Sequence, residues 1–152
     1  MKRILFITIV SLVLAAPASA AEQQRPVPFL KGVVSELVAN DYATAWASLH
    51  PAHQAVAAED QYVACESQSP VAGRLKSLTA IRTQRKLIAV AGIEEPVRAV
   101  VVTFRLRLVD PSSGASVAFT LNAATVRVAE RWVWMLPRAR YELYKSGACS
   151  AL

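Results

Sequence analysis

Residues 97–109 read VRAVVVTFRLRLV. Val100, Val102, Phe104, Leu106 and Leu108 share one parity, and Val101, Thr103, Arg105 and Arg107 share the other. This is the period of a strand with one face buried and one face open to water. Pro111-Ser112-Ser113-Gly114 follows, a hairpin signal. Val117, Phe119, Leu121 and Ala123 then begin a second alternating run, which Val126 and Val128 continue in the opposite phase. Upstream, Glu94-Glu95-Pro96 makes a turn behind residues 74–91. There Leu75, Ser77, Thr79, Ile81 and Thr83 keep one parity and Ile88 and Val90 the other. A change of phase inside one extended segment predicts a bulge or bend. Downstream, Trp132 to Leu136 reads as a short aromatic strand ended by Pro137, with a turn or helix around 138–146. The connections are short, so neighbours pair, and the prediction is an antiparallel meander of about four strands.

The residues ahead of this meander change period. Leu30, Val33, Val34, Leu37 and Val38 follow the i, i+3, i+4, i+7, i+8 stripe of a helix. Asn40 can close it in a left-handed conformation, and Asp41 can cap the next helix. That second helix carries Tyr42, Ala45, Trp46 and Leu49 on one face. It is expected to end at His50, because Pro51 disfavours helical geometry in the residue before it. A third short helix is expected around 58–67, with Glu59 and Asp60 near its positive end and Tyr62, Val63 and Cys65 on its apolar side. Helices gathered before a meander give an α+β class: three N-terminal helices packed on one face of a curved antiparallel sheet.

The first twenty residues have the parts of an export signal in order. Met1, Lys2 and Arg3 are the basic start, Ile4 to Ala16 is apolar apart from Thr8 and Ser11, and Pro17 precedes Ala18-Ser19-Ala20. Cleavage is expected between Ala20 and Ala21. The apolar run is shorter than the roughly 20 residues that span a bilayer. Cleavage removes two basic residues and no acid, so 17 basic against 11 acidic residues becomes 15 against 11, a net charge of +4. A single domain over 27–149 is expected, delivered to the periplasm or the exterior. With 54% hydrophobic and 18% charged residues the chain is too apolar for a disordered one. Its two cysteines are too few for a disulfide-dense miniprotein. Cys65 and Cys149 both fall after the signal and suit an oxidising compartment as one disulfide, with free thiols or an intermolecular bridge as the alternatives. Neither belongs to a Cys-x-x-Cys motif, which argues against a redox role.

Asp41-Tyr42-Ala43-Thr44-Ala45-Trp46-Ala47-Ser48-Leu49-His50-Pro51 resembles the second helix of nuclear-transport-factor-2-like proteins, the cystatin-like cone fold. The shared features are an acidic-aromatic start, an aromatic four residues on, and Leu-x-Pro at the exit. Arg131-Trp132-Val133-Trp134-Met135-Leu136 is similar to that family's last strand, and the order of elements agrees over most of 27–146. The resemblance implies a pocket between sheet and helices. It implies either a ligand-binding or dimerising module, or an enzyme of the isomerase, dehydratase or hydrolase type acting on a hydrophobic small molecule. It also implies a homodimer through the open sheet face, against which the arginines of that face stand.

Few residues are candidates for chemistry. His50 and His53 are the only histidines; either could be a general base or both a metal pair, but a third ligand is lacking nearby, so no metal is expected. Asp41 is the nearest to a catalytic acid, and a helix cap explains it better. None of the acids falls inside a predicted strand, where a pocket base would sit, so the reading leans away from catalysis. There is no Gly-x-Ser-x-Gly motif and no phosphate-binding glycine loop, and no cofactor is expected. Tyr42, Trp46, Tyr62, Phe104 and Trp134 are the expected lining of an apolar pocket. Arg105 and Arg107 head a basic sheet face, for which an anionic envelope component is the expected partner and nucleic acid is not. The sequence thus points to a small exported binding module and names no ligand.

Overall fold

The computed structural model describes residues 25–149. The export segment 1–20, with its Ala20–Ala21 junction, lies outside the described residues. Helix α1 (Pro26–Val38) begins with Pro26, whose missing N–H costs nothing in a first turn. It buries Leu30, Val33, Val34 and Val38, and Asn40 closes it at φ 60°. The Asn40 side chain then does two further jobs. Its Oδ1 accepts from the Val71 N–H at 2.8 Å and from the Tyr42 hydroxyl at 2.6 Å, fixing the segment that leads into the sheet.

Helix α2 (Tyr42–Ala47) is capped by Asp41, whose carboxylate accepts from the Thr44 N–H at 3.3 Å. It stops short of His50. The Trp134 N–H donates to the Ser48 carbonyl at 3.0 Å and the His50 N–H to the Trp134 carbonyl at 2.8 Å, so the residues around Leu49 run beside the last strand instead of coiling. A helix absent from the sequence reading follows, α3 (Pro51–Gln54). Pro51 ends α2 and also opens α3, where its fixed φ suits a first turn. With α4 (Glu59–Glu66), four helices precede the sheet among the described residues, where three were expected. A fifth, α5 (Arg138–Lys145), follows it. None of them is long and apolar enough to cross a membrane.

The sheet is an antiparallel meander in the order β1 (Arg74–Ile88), β2 (Val97–Val109), β3 (Ser116–Val128), β4 (Arg131–Trp134). The phase change in β1 is two register shifts against β2, between Leu75 and Ser77 and between Ala80 and Arg82. The phase change in β3 has another origin. Its pairing with β2 runs without a break from Ser116 to Thr125, so Val126 and Val128 lie on the face opposite Phe119 and Leu121. There they meet Val90, Ala99, Val133 and Met135 in a small second core. The inner face carries the main core: Val100, Val102, Phe104, Leu106 and Leu108 against α1, α2 and α4. Helix α1 touches all four strands.

Cys65 and Cys149 form a disulfide with their Cα atoms 4.8 Å apart. It ties α4 to the segment that leaves α5. Of the three cysteine arrangements open to the sequence, the intramolecular pair is the one seen.

Candidate functional site

Between the helices and the inner sheet face lies a cavity of about 330 Å³. Helix α1 contributes Val33, Val34, Leu37 and Val38, each presented by the 3.6-residue stripe that also builds the core. The sheet contributes Leu106, Phe119 and Leu121, and the chain beyond β4 contributes Leu136. Phe119 and its neighbour Val117 are 42% and 58% exposed, because β3 runs past the helices at this end. The opening of the cavity therefore has apolar side chains in contact with solvent.

Apart from Asn122 on β3, the polar groups of the wall are gathered in one place. Glu66, in the last turn of α4, and Arg140, on α5, both line the cavity and form an ion pair through Glu66 Oε1 and Arg140 Nη2. The Tyr144 hydroxyl donates to the same Oε1 at 2.6 Å. Arg140 Nη1 also donates to the Cys149 carbonyl at 3.3 Å, so the disulfide segment helps to hold the guanidinium. Burial works against the Arg140 charge, but the hydrogen bond and charge of Glu66 outweigh it and its pKa is raised. Burial likewise raises the Tyr144 and Tyr62 hydroxyls, with the Glu66 charge adding to both, so these phenols stay protonated. The polar end is a neutral ensemble: a carboxylate, a guanidinium and two phenols.

Of the five aromatics expected around a pocket, Tyr62 and Trp134 line this one. Tyr42, Trp46 and Phe104 do not, and their surroundings explain why. Phe104 is fully buried in the core. The Trp46 indole N–H is committed to the Ala57 carbonyl at 2.6 Å, and the Tyr42 hydroxyl to Asn40. Trp134 is anchored in turn by its indole N–H, which donates to the Ala45 carbonyl at 2.7 Å. Glu66 and Arg140 were not singled out as site residues in the sequence. They come from helices on either side of the whole sheet in sequence, and only the folded chain brings them together.

The histidines do structural work. His53 is fully buried. Its Nδ1 accepts from the Leu136 N–H at 2.9 Å and its Nε2 lies 3.0 Å from the Ala91 carbonyl. Those partners fix the neutral tautomer with the proton on Nε2. His50 does not sit at the carbonyl end of a helix. Its Nδ1 accepts from the Ala52 N–H at 3.1 Å, capping the start of α3. Among the described residues no group of three or more His, Cys, Asp or Glu could hold a metal ion. Arg105 and Arg107 are exposed on the sheet face turned away from the helices and the cavity.

No protein-family model and no curated protein matches this chain. Its function is therefore argued from the cavity and the surface alone.

Proposed function

We propose that this chain is an exported, non-catalytic binding module whose cavity holds a hydrophobic small molecule. The observation that carries the reading is the largely apolar cavity of about 330 Å³ whose two charged wall residues, Glu66 and Arg140, pair with each other. That size lies at the lower limit of small-molecule sites, about 300–1,000 Å³, and such sites combine apolar walls with a few placed polar groups. The Glu66–Arg140 pair offers hydrogen bonds without net charge, so the fit is to an uncharged apolar molecule with one hydrogen-bonding group. Export rests on the signal-like segment 1–20, and the Cys65–Cys149 bond agrees with an oxidising destination. Membership of the nuclear-transport-factor-2-like cone fold is part of the same proposal. It is supported by helices that precede a four-stranded antiparallel meander, with a cavity between them.

Titration with N-phenyl-1-naphthylamine, an uncharged fluorescent probe, tests the reading. The native protein should bind it with enhanced emission, and Leu37→Trp, which fills the cavity from α1, should weaken binding at least tenfold while the protein still melts cooperatively. Equal binding by both proteins, or none by the native one, overturns it.

One observation favours a second reading, a pocket enzyme of the same fold. Glu66 is an ionisable group on the cavity wall, and its Oε2 accepts no hydrogen bond from the described residues. Such an oxygen could take a proton from a bound molecule. If a ligand recovered from the native protein is chemically changed on incubation, and Glu66→Gln binds it unchanged, this reading replaces the first.

A further inference from the structure

The outer sheet face has a pattern of its own. The register assigns to it Arg74, Arg82 and Lys86 from β1 and Arg105 and Arg107 from β2. Lys76, the extra residue of the first bulge, lies beside Ser77, Arg105, Arg107 and Ala118 around a surface depression of about 280 Å³. None of these six cations has an acidic partner among the described residues, and none of the four strands contains an Asp or Glu. The nearest acids in sequence stand in the turns, Glu94 and Glu95 before β2 and Asp110 after it. The outer positions of β3, including Ala118, Thr120, Asn122 and Ala124, carry no charge. Apart from Arg131 of β4, which the register places on the same face beyond uncharged β3, the cations therefore form a stripe on two strands rather than a field over the whole face. Arg74 and Lys86 pair with Val109 and Ala99, so at 3.2–3.4 Å per residue the stripe is roughly 33 Å long, and Arg105 and Arg107 stand about 6.7 Å apart along their strand.

We propose that this stripe is a docking site for a linear polyanion carrying phosphate groups, laid along β1 and β2. Three features decide the occupant. A membrane surface is planar and would be met by cations spread across β3 as well. Single-stranded nucleic acid is held on aromatic stacking platforms, and the outer face of these three strands has no aromatic side chain. Five of the ten basic residues in the strands, and most of the stripe, would suffice as edge protection for β1, because lysine and arginine on a free edge prevent strand addition. Arg105 and Arg107 stand one strand inward, where no edge needs protecting. Guanidinium groups match phosphate oxygens in paired hydrogen bonds, and the hydroxyls of Ser77 and Thr79, paired across the strands with Arg107 and Arg105, are further donors.

Long-chain inorganic polyphosphate is the probe, titrated calorimetrically into the purified protein at several salt concentrations. Binding should weaken steeply with salt, with a log–log slope of about −3 for some four neutralised phosphates. Arg105→Ser with Arg107→Ser should weaken it at least tenfold. Arg127→Ser with Arg138→Ser removes the same charge away from the stripe and should change it less than twofold; both pairs should melt as the native protein does. Arg82→Ser alone should give an intermediate loss, an independent check should the double variant fold poorly. The proposal falls if polyphosphate does not bind, or if the two double variants are equally affected. It also falls if orthophosphate binds as tightly, or if phosphatidylglycerol vesicles or a single-stranded oligodeoxynucleotide bind more tightly.

Discussion

His53 holds three parts of the chain through one ring: its own helix α3, the Ala91 carbonyl after β1 and the Leu136 N–H after β4. Tyr141 packs on it with ring centroids 5.1 Å apart, and Gly92 leaves room for that tyrosine, since a Cβ there would come within 2.6 Å of the Tyr141 Cζ. Burial lowers the His53 pKa from 6.5, the neighbouring His50 adds to the shift, and the Ala91 carbonyl opposes it. The unfolded chain thus takes up the proton at a higher pH than the native one. Stability from this group is fully present above about pH 6.5 and is lost as the pH falls toward the lower native value. A melting temperature that declines between pH 7 and pH 5, with a shallower decline in His53→Gln, is the expected outcome. A pH-independent melting temperature in that window would contradict a buried imidazole held neutral. His53→Ala leaves the buried Leu136 N–H and the partly buried Ala91 carbonyl without partners and should cost about 3 kcal/mol in denaturant unfolding.

Elements were legible in the sequence where one face alone is buried. Strand β2 has burial that follows its alternation from Val100 to Leu108, because the helices cover one side only. The stripe of α1 was equally plain, as was the left-handed Asn40. Elements shaped by distant partners were not legible. Helix α2 loses its last turn to a bridge with Trp134, a residue far along the chain, and α3 is built on a histidine cap and a proline that was read as a stop. At β3 the second phase reflects a second core on the other face, which only the covering segment around Val90 creates. Asp41 is a test at this scale. As the cap of α2 its replacement by Ala should lower stability by about 1 kcal/mol and leave probe binding in the cavity unchanged. A loss of binding without loss of stability would make it a site residue.

At the scale of the whole molecule the sheet separates two environments. The inner face carries the main core and the apolar cavity, whose charged pair is self-neutralising; the outer face is cationic and open over much of β1 and β2 and carries the small second core at its other end. Half of the candidate site was readable, since Tyr62 and Trp134 are large apolar residues that any pocket of this kind would recruit. Glu66 and Arg140 were not, because an acid in the last turn of one helix and an arginine near the end of the chain have no local sign of meeting. The disulfide underlies that meeting, since Cys65 precedes Glu66 and the Cys149 carbonyl accepts from Arg140. Cys65→Ser should lower the melting temperature, by at most about 4.5 kcal/mol of stability on the loop-entropy account, and should also weaken probe binding in the cavity. An unchanged melting temperature would mean that the bond contributes nothing to the fold.

The same bond bears on how the protein matures. This chain has two cysteines, so pairing within one molecule has a single outcome. An oxidant bearing a disulfide, itself reduced to a dithiol, is sufficient to complete it, and an isomerase has no wrong internal bridge to shuffle. The competing product joins two molecules, and its yield depends on protein concentration rather than on the order in which the chain folds. Dilution during oxidation is therefore the condition that governs recovery of the intramolecular bond.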